Sequence, residues 1–123
     1  MPQIVTLSVS LHPTLLETRS RVLRTGGYTV ISTASVVDAA TKFLAGDFDL
    51  VILCHSIPAR DRRYLVARIR DHSPSTPLVL VSATESGHDA SLDATIGNDP
   101  EQLLQELARV LRQREQRTGT SDD

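Results

Sequence analysis

Two stretches, DLVILC (Asp49–Cys54) and LVLVSA (Leu78–Ala83), are apolar on consecutive residues rather than on alternate ones. A strand with one face in water alternates apolar and polar side chains, so an unbroken apolar run implies cover on both faces. Segments of helical character separate these runs and others like them. IVTLSV (Ile4–Val9) and YTVIS (Tyr28–Ser32) are short and rich in β-formers. Between them, HPTLLETRSRVLRTGG places Pro13 at a first-turn position, Leu16, Ser20 and Leu23 on one face, and Gly26-Gly27 at the stop. Ser35 opens a second helix with Asp38 in the partner position of a capping box, and Gly46 closes it. DRRYLVARIRDH is a basic amphipathic helix burying Leu65, Val66 and Ile69, and SPSTP ends it. Asp99-Pro100-Glu101-Gln102 opens a last helix with Leu103, Leu104, Leu107, Val110 and Leu111 at helical spacing. Strands alternating with helices predict an α/β fold, a parallel sheet with helices on both faces.

Ligands of such sheets sit beyond the carboxyl ends of the strands. Those ends are Ser10-Leu11-His12, Cys54-His55-Ser56, Ser82-Ala83-Thr84 and the neighbourhood of Ile96-Gly97. Composition narrows the chemistry. The 123 residues suit one domain, expected over 1–115, with a solvated and frayed tail over 116–123. A formal charge of −2 gives no bulk attraction for nucleic acid or an anionic membrane. The single cysteine rules out an internal disulfide, and no Cys/His cluster has zinc spacing. No signal-like start or membrane-length apolar run is visible, so the expected location is cytoplasmic.

In order and spacing, GGYTV, DLVIL, IPARD, LVLVSA and DPEQLL make the chain similar to the receiver domain of two-component response regulators, from about Ile4 to Arg114. The resemblance implies a flavodoxin-like, doubly wound sheet of five strands in the order 2-1-3-4-5. It also implies a site: an acceptor Asp ending the third strand, two acidic Mg²⁺-binding residues after the first, a hydroxyl ending the fourth and a Lys after the fifth. Carried over by position, the acceptor place is Cys54, the acidic pair Ser10 and Leu11, the hydroxyl Ser82, and the Lys Ile96. Only Ser82 matches. His12, His55, Asp61 and Arg62 complete the expected pocket rim, with Arg62 standing where the family has Gly. Thirteen residues separate Ser82 from Ile96, room for at most about one helical turn besides a short strand, so the fourth helix is expected to be shortened or missing.

Mg²⁺ prefers hard oxygen ligands and binds thiols poorly, so neither metal nor cofactor is expected. The resulting expectation is a stand-alone degenerate receiver in phosphorelay signalling, neither phosphorylated nor an enzyme. It would act through signalling-protein partners, with no nucleic acid and no membrane, and with a sheet edge or helix face left by the shortened 83–96 region open to homodimer formation. Two alternatives stand beside it. Cys54 would serve as a redox-sensing or nucleophilic thiol if His12 or His55 activated it, His12 being better placed because consecutive residues leaving a strand point apart. The vacated pocket, with Arg60, Arg62 and the histidines, would otherwise hold an anion or small ligand.

Overall fold

The computed structural model describes residues 4–82, 94–97 and 100–121. Five parallel strands form one sheet in the order β2-β1-β3-β4-β5: β1 (Val5–Val9), β2 (Thr29–Thr33), β3 (Leu50–Cys54), β4 (Leu78–Ser82) and β5 (Ala94–Gly97). Four helices accompany them among the described residues: α1 (Pro13–Thr25), α2 (Val36–Ala45), α3 (Ala59–His72) and α4 (Pro100–Ser121). The two unbroken apolar runs are β3 and β4, with β3 in the centre of the sheet and every one of its residues buried. Residues 83–93, where the shortened fourth helix was expected, lie outside the described residues.

Strand alternation divides the core in two. Leu7, Val9, Val51, Leu53, Leu78 and Leu80 pack with Ala39, Phe43, Leu65 and Ile69 of α2 and α3. Leu50, Ile52, Val79, Val81 and Ile96 pack with Leu23 of α1 and Leu103, Leu107 and Val110 of α4. Register is fixed because a one-residue slip of β3 would exchange these two sets of side chains. The register pairs Cys54 with Val81 and Ser82 with Gly97, which brings the carboxyl ends of the central strands level.

Local chemistry accounts for the helix ends. Gly26 caps α1, and Gly27 follows at φ 94°, a left-handed conformation that glycine adopts at little cost. Ser35 caps α2 by accepting the Asp38 N–H at 3.1 Å. The expected reach of Asp38 back to Ser35 takes another route. Thr33 Oγ1 accepts the Ser35 N–H at 3.2 Å and donates to Asp38 Oδ2 at 2.8 Å. Aspartate is one methylene shorter than the usual glutamate, and the threonine hydroxyl spans the difference. Helix α4 continues through Ser121, across most of the expected tail; Gln113 to Arg117 are good helix formers and offer no stop.

Candidate functional site

β1 carries the site from below. Leu7 and Val9 face α2 and α3, so Thr6, Ser8 and Ser10 face the α1 side, and all three are fully buried. The hydroxyls of Thr6 and Ser8 have no hydrogen-bond partner among the described residues. From α1, Arg19 enters the same layer. It is only 3 % exposed and shares its helix face with Leu16, Ser20 and Leu23. Cys54, at the end of β3 and 0 % exposed, completes the layer.

Beyond the strand ends the backbone turns at once. Ile57 N–H donates to the Cys54 carbonyl at 3.1 Å, closing a turn that swings Ser56 back over β1. Ser56 Oγ lies 3.2 Å from Ser10 Oγ and accepts the Leu11 N–H at 3.1 Å. Ser10 Oγ also accepts the His12 N–H at 3.1 Å. Two hydroxyls therefore tie the loop after β1 to the loop after β3.

The thiol sits against this knot. Burial alone would push it up, but side-chain hydrogen bonds from Ser10 and Ser56, the Ser56 backbone, and the Arg19 side chain outweigh that and lower it to about 6. These donors favour the thiolate. A buried guanidinium is costly without a counter-charge, and the thiolate is one. The group these donors favour for nucleophilic chemistry is sealed from solvent.

The histidines exchange the roles expected of them. His12 caps α1, its Nδ1 accepting the Leu15 N–H at 3.4 Å. His55 Nδ1 lies 3.8 Å from Cys54 Sγ, a weak contact at the long limit for sulfur. Strand alternation made His12 the better candidate, but β3 ends at Cys54 and the turn starting at His55 breaks that alternation.

The other expected positions do not gather around the thiol. Leu11 is exposed, and Asp61 sits half-buried in the first turn of α3. Arg62 donates from Nη1 to the Ile57 carbonyl at 3.4 Å. Ile96 was expected on the rim; it is 2 % exposed inside β5 and packs in the α1–α4 core. Of Ser82, the backbone is placed, opposite Gly97, and the side chain lies outside the described residues. Ser56 and Arg19 were not anticipated. A signal for Arg19 existed, since it lies between Leu16 and Leu23 on the apolar stripe of α1.

The Mg²⁺ that the receiver resemblance implies does not fit these residues. At the three ligand places stand a hydroxyl, an aliphatic side chain and a thiol. No group of three or more His, Cys, Asp or Glu that could hold a metal occurs among the described residues.

The fold is a doubly wound, flavodoxin-like α/β sheet, with the candidate site beyond its strand ends. Three solved structures place it more closely. The CheY-like receiver domain protein of Methanospirillum hungatei JF-1 superposes with a TM-score of 0.82 at 20% identity, covering 94% of this chain and 99% of that one. The chemotaxis response regulator CheY4 of Vibrio cholerae gives 0.78 at 22% identity, covering 89% and 99%. TrrA of Thermotoga maritima, solved in complex with Mg²⁺–BeF, gives 0.78 at 22% identity, covering 88% and 99%. The chain therefore has the receiver-domain fold of two-component response regulators. No family model and no curated protein sequence matches it.

Proposed function

We propose that the chain is a degenerate receiver of two-component signalling, one that is not phosphorylated and works by binding other proteins. A single observation supports this reading: Cys54 ends β3, where the resemblance implies the acceptor carboxylate, and it is 0 % exposed with Ser10, Ser56 and Arg19 against it. Receiver chemistry requires a carboxylate nucleophile and a metal to hold the phosphoryl oxygens. The TrrA structure contains Mg²⁺ with BeF; the places the resemblance implies for such a site here, Ser10, Leu11 and Cys54, carry no carboxylate. The domain is accordingly not an enzyme, and its partners are proteins, a second copy among them through the β2 edge, where Ile31 is exposed.

Incubation with acetyl phosphate and Mg²⁺ tests this by intact-protein mass spectrometry. The expected spectrum is unchanged. A stable phosphoryl-sized mass increase, mapped to the strand-end site, overturns the reading.

One observation favours a second reading: hydrogen-bond donors from Ser10, Ser56 and Arg19 surround the thiol and lower its pKa, as a redox sensor requires. Burial opposes it, because an oxidant would have to wait for the turn at His55-Ser56 to open. Native alkylation decides between them. Labelling within minutes near neutral pH supports sensing, and labelling only after denaturation supports a structural thiolate. The anion-pocket alternative loses support, since Arg62 is held on the Ile57 carbonyl and Arg60 lies on the exposed side of α3.

A further inference from the structure

Helix α3 concentrates the positive charge of the molecule. Its sequence ARDRRYLVARIRDH holds five arginines and two aspartates, a net +3. With the whole chain at −2, the remainder carries −5. Two of the five arginines are anchored: Arg62 on the Ile57 carbonyl, and Arg70 on the carbonyls of Pro74 and Thr76 at 2.9 and 2.8 Å. Arg60, Arg63 and Arg68 are exposed. No ion pair joins them to a carboxylate among the described residues.

Helical spacing places these three on one side. Leu65, Val66 and Ile69 face the core, so Arg60, Tyr64 and Ala67 lie along the opposite face, with Arg63 and Arg68 flanking them. Tyr64 is 47% exposed in the middle of this set. Nothing in the core needs these side chains.

We propose that this outer face of α3 is the docking surface for an acidic polypeptide segment of a partner protein, Arg60, Arg63 and Arg68 taking its carboxylates and Tyr64 its apolar contact. The inference rests on the reading of the chain as an interaction module and names the chemistry of the partner. Arginine and tyrosine are the residue types that concentrate binding energy at protein interfaces. The guanidinium fork matches a carboxylate in two parallel hydrogen bonds. From Arg60 to Arg68 the face spans about 12 Å, the length of two helical turns or of a four-residue extended segment. Arginines grip phosphate as well, but a nucleic acid would run past the patch onto a molecule that is otherwise net negative. A membrane would need apolar side chains to insert, and this face offers one tyrosine.

The test is a titration of the ¹⁵N-labelled chain, at low salt, with a glutamate-rich peptide containing leucine. The same peptide with glutamine for glutamate, a single-stranded DNA oligomer and phosphatidylserine vesicles serve as comparison probes. The acidic peptide is expected to shift the amides of α3, to weaken as salt rises, and to lose roughly tenfold in affinity with the R60E/R63E variant. The R21E/R24E variant on α1 is expected to bind as the wild type does. Shifts centred elsewhere, indifference to the α3 charge reversal, equal binding of the glutamine peptide, or tighter binding of DNA or vesicles at α3 overturns the inference. Phosphoryl uptake at the strand ends would overturn the proposed function and leave the α3 titration unchanged, so the two failures are distinguishable.

Discussion

At the scale of single residues, Cys54 and Arg19 form the pair on which the strand-end layer turns. The thiol lies at about 6 in the folded chain, below its ordinary value of 9.0, because the donors around it outweigh burial. In the unfolded chain it returns to the ordinary value. Between these two values the unfolded state binds more protons, so stability rises with pH across that window and is lost as pH falls through 6. Denaturant unfolding at pH 5.5 and 8.5 is expected to show wild type gaining on C54S at the higher pH; equal differences at both would contradict the assignment. Substitution R19M removes the cationic donor. It is expected to move the midpoint of thiolate formation, followed by ultraviolet absorbance, upward, by less than the loss of the Ser10 hydroxyl does. An unchanged midpoint would show that the serines alone hold the thiolate. Ser10 and Cys54 were legible as site residues because they end strands. Arg19 and Ser56 were not singled out: Arg19 reaches the thiol from a helix distant in sequence, and Ser56, two residues on from the thiol, acquires its role only when the loop folds back onto Ser10. His55 was discounted on an alternation that the turn beginning at that residue suspends.

At the scale of elements, each boundary has its own local cause, and most could be read from the chain. Uninterrupted apolar runs marked β3 and β4, Gly26-Gly27 marked the end of α1, and Ser35 marked the start of α2. Pro58 opens α3 without a side-chain cap, and the helix starts at Ala59, two residues earlier than the basic run from Asp61 suggested. The part Thr33 takes at α2 was hidden, since it depends on the end of β2 approaching the helix it leads into. Both S35A and T33V disturb this N-terminus, and each is expected to cost about 1 kcal/mol in urea unfolding. Because the two side chains serve the same cap, the double variant is expected to cost less than the sum. Strict additivity would mean that Ser35 and Thr33 support the helix start independently rather than as one cap.

At the scale of the whole molecule, the proposed function separates a frame built on sheet packing from the side chains at its strand ends, where Ser10, Leu11 and Cys54 offer no carboxylate. The two are separable because they draw on different side chains. Leu7, Val51, Leu53, Leu78 and their partners hold the sheet between its helices whatever stands at position 54. This is also why the fold was legible from apolar patterning, whereas the α3 face, which serves no packing purpose, appeared only as a basic run until its exposed arginines and Tyr64 were seen on one side. The central claim is that the receiver frame persists here without its metal cage. Titration of the ¹⁵N-labelled protein with Mg²⁺ up to millimolar concentrations measures this at the atoms concerned. The account predicts no saturable shift at the amides of Ser10, Cys54 and Ser56, and a saturable response centred on those three would contradict it.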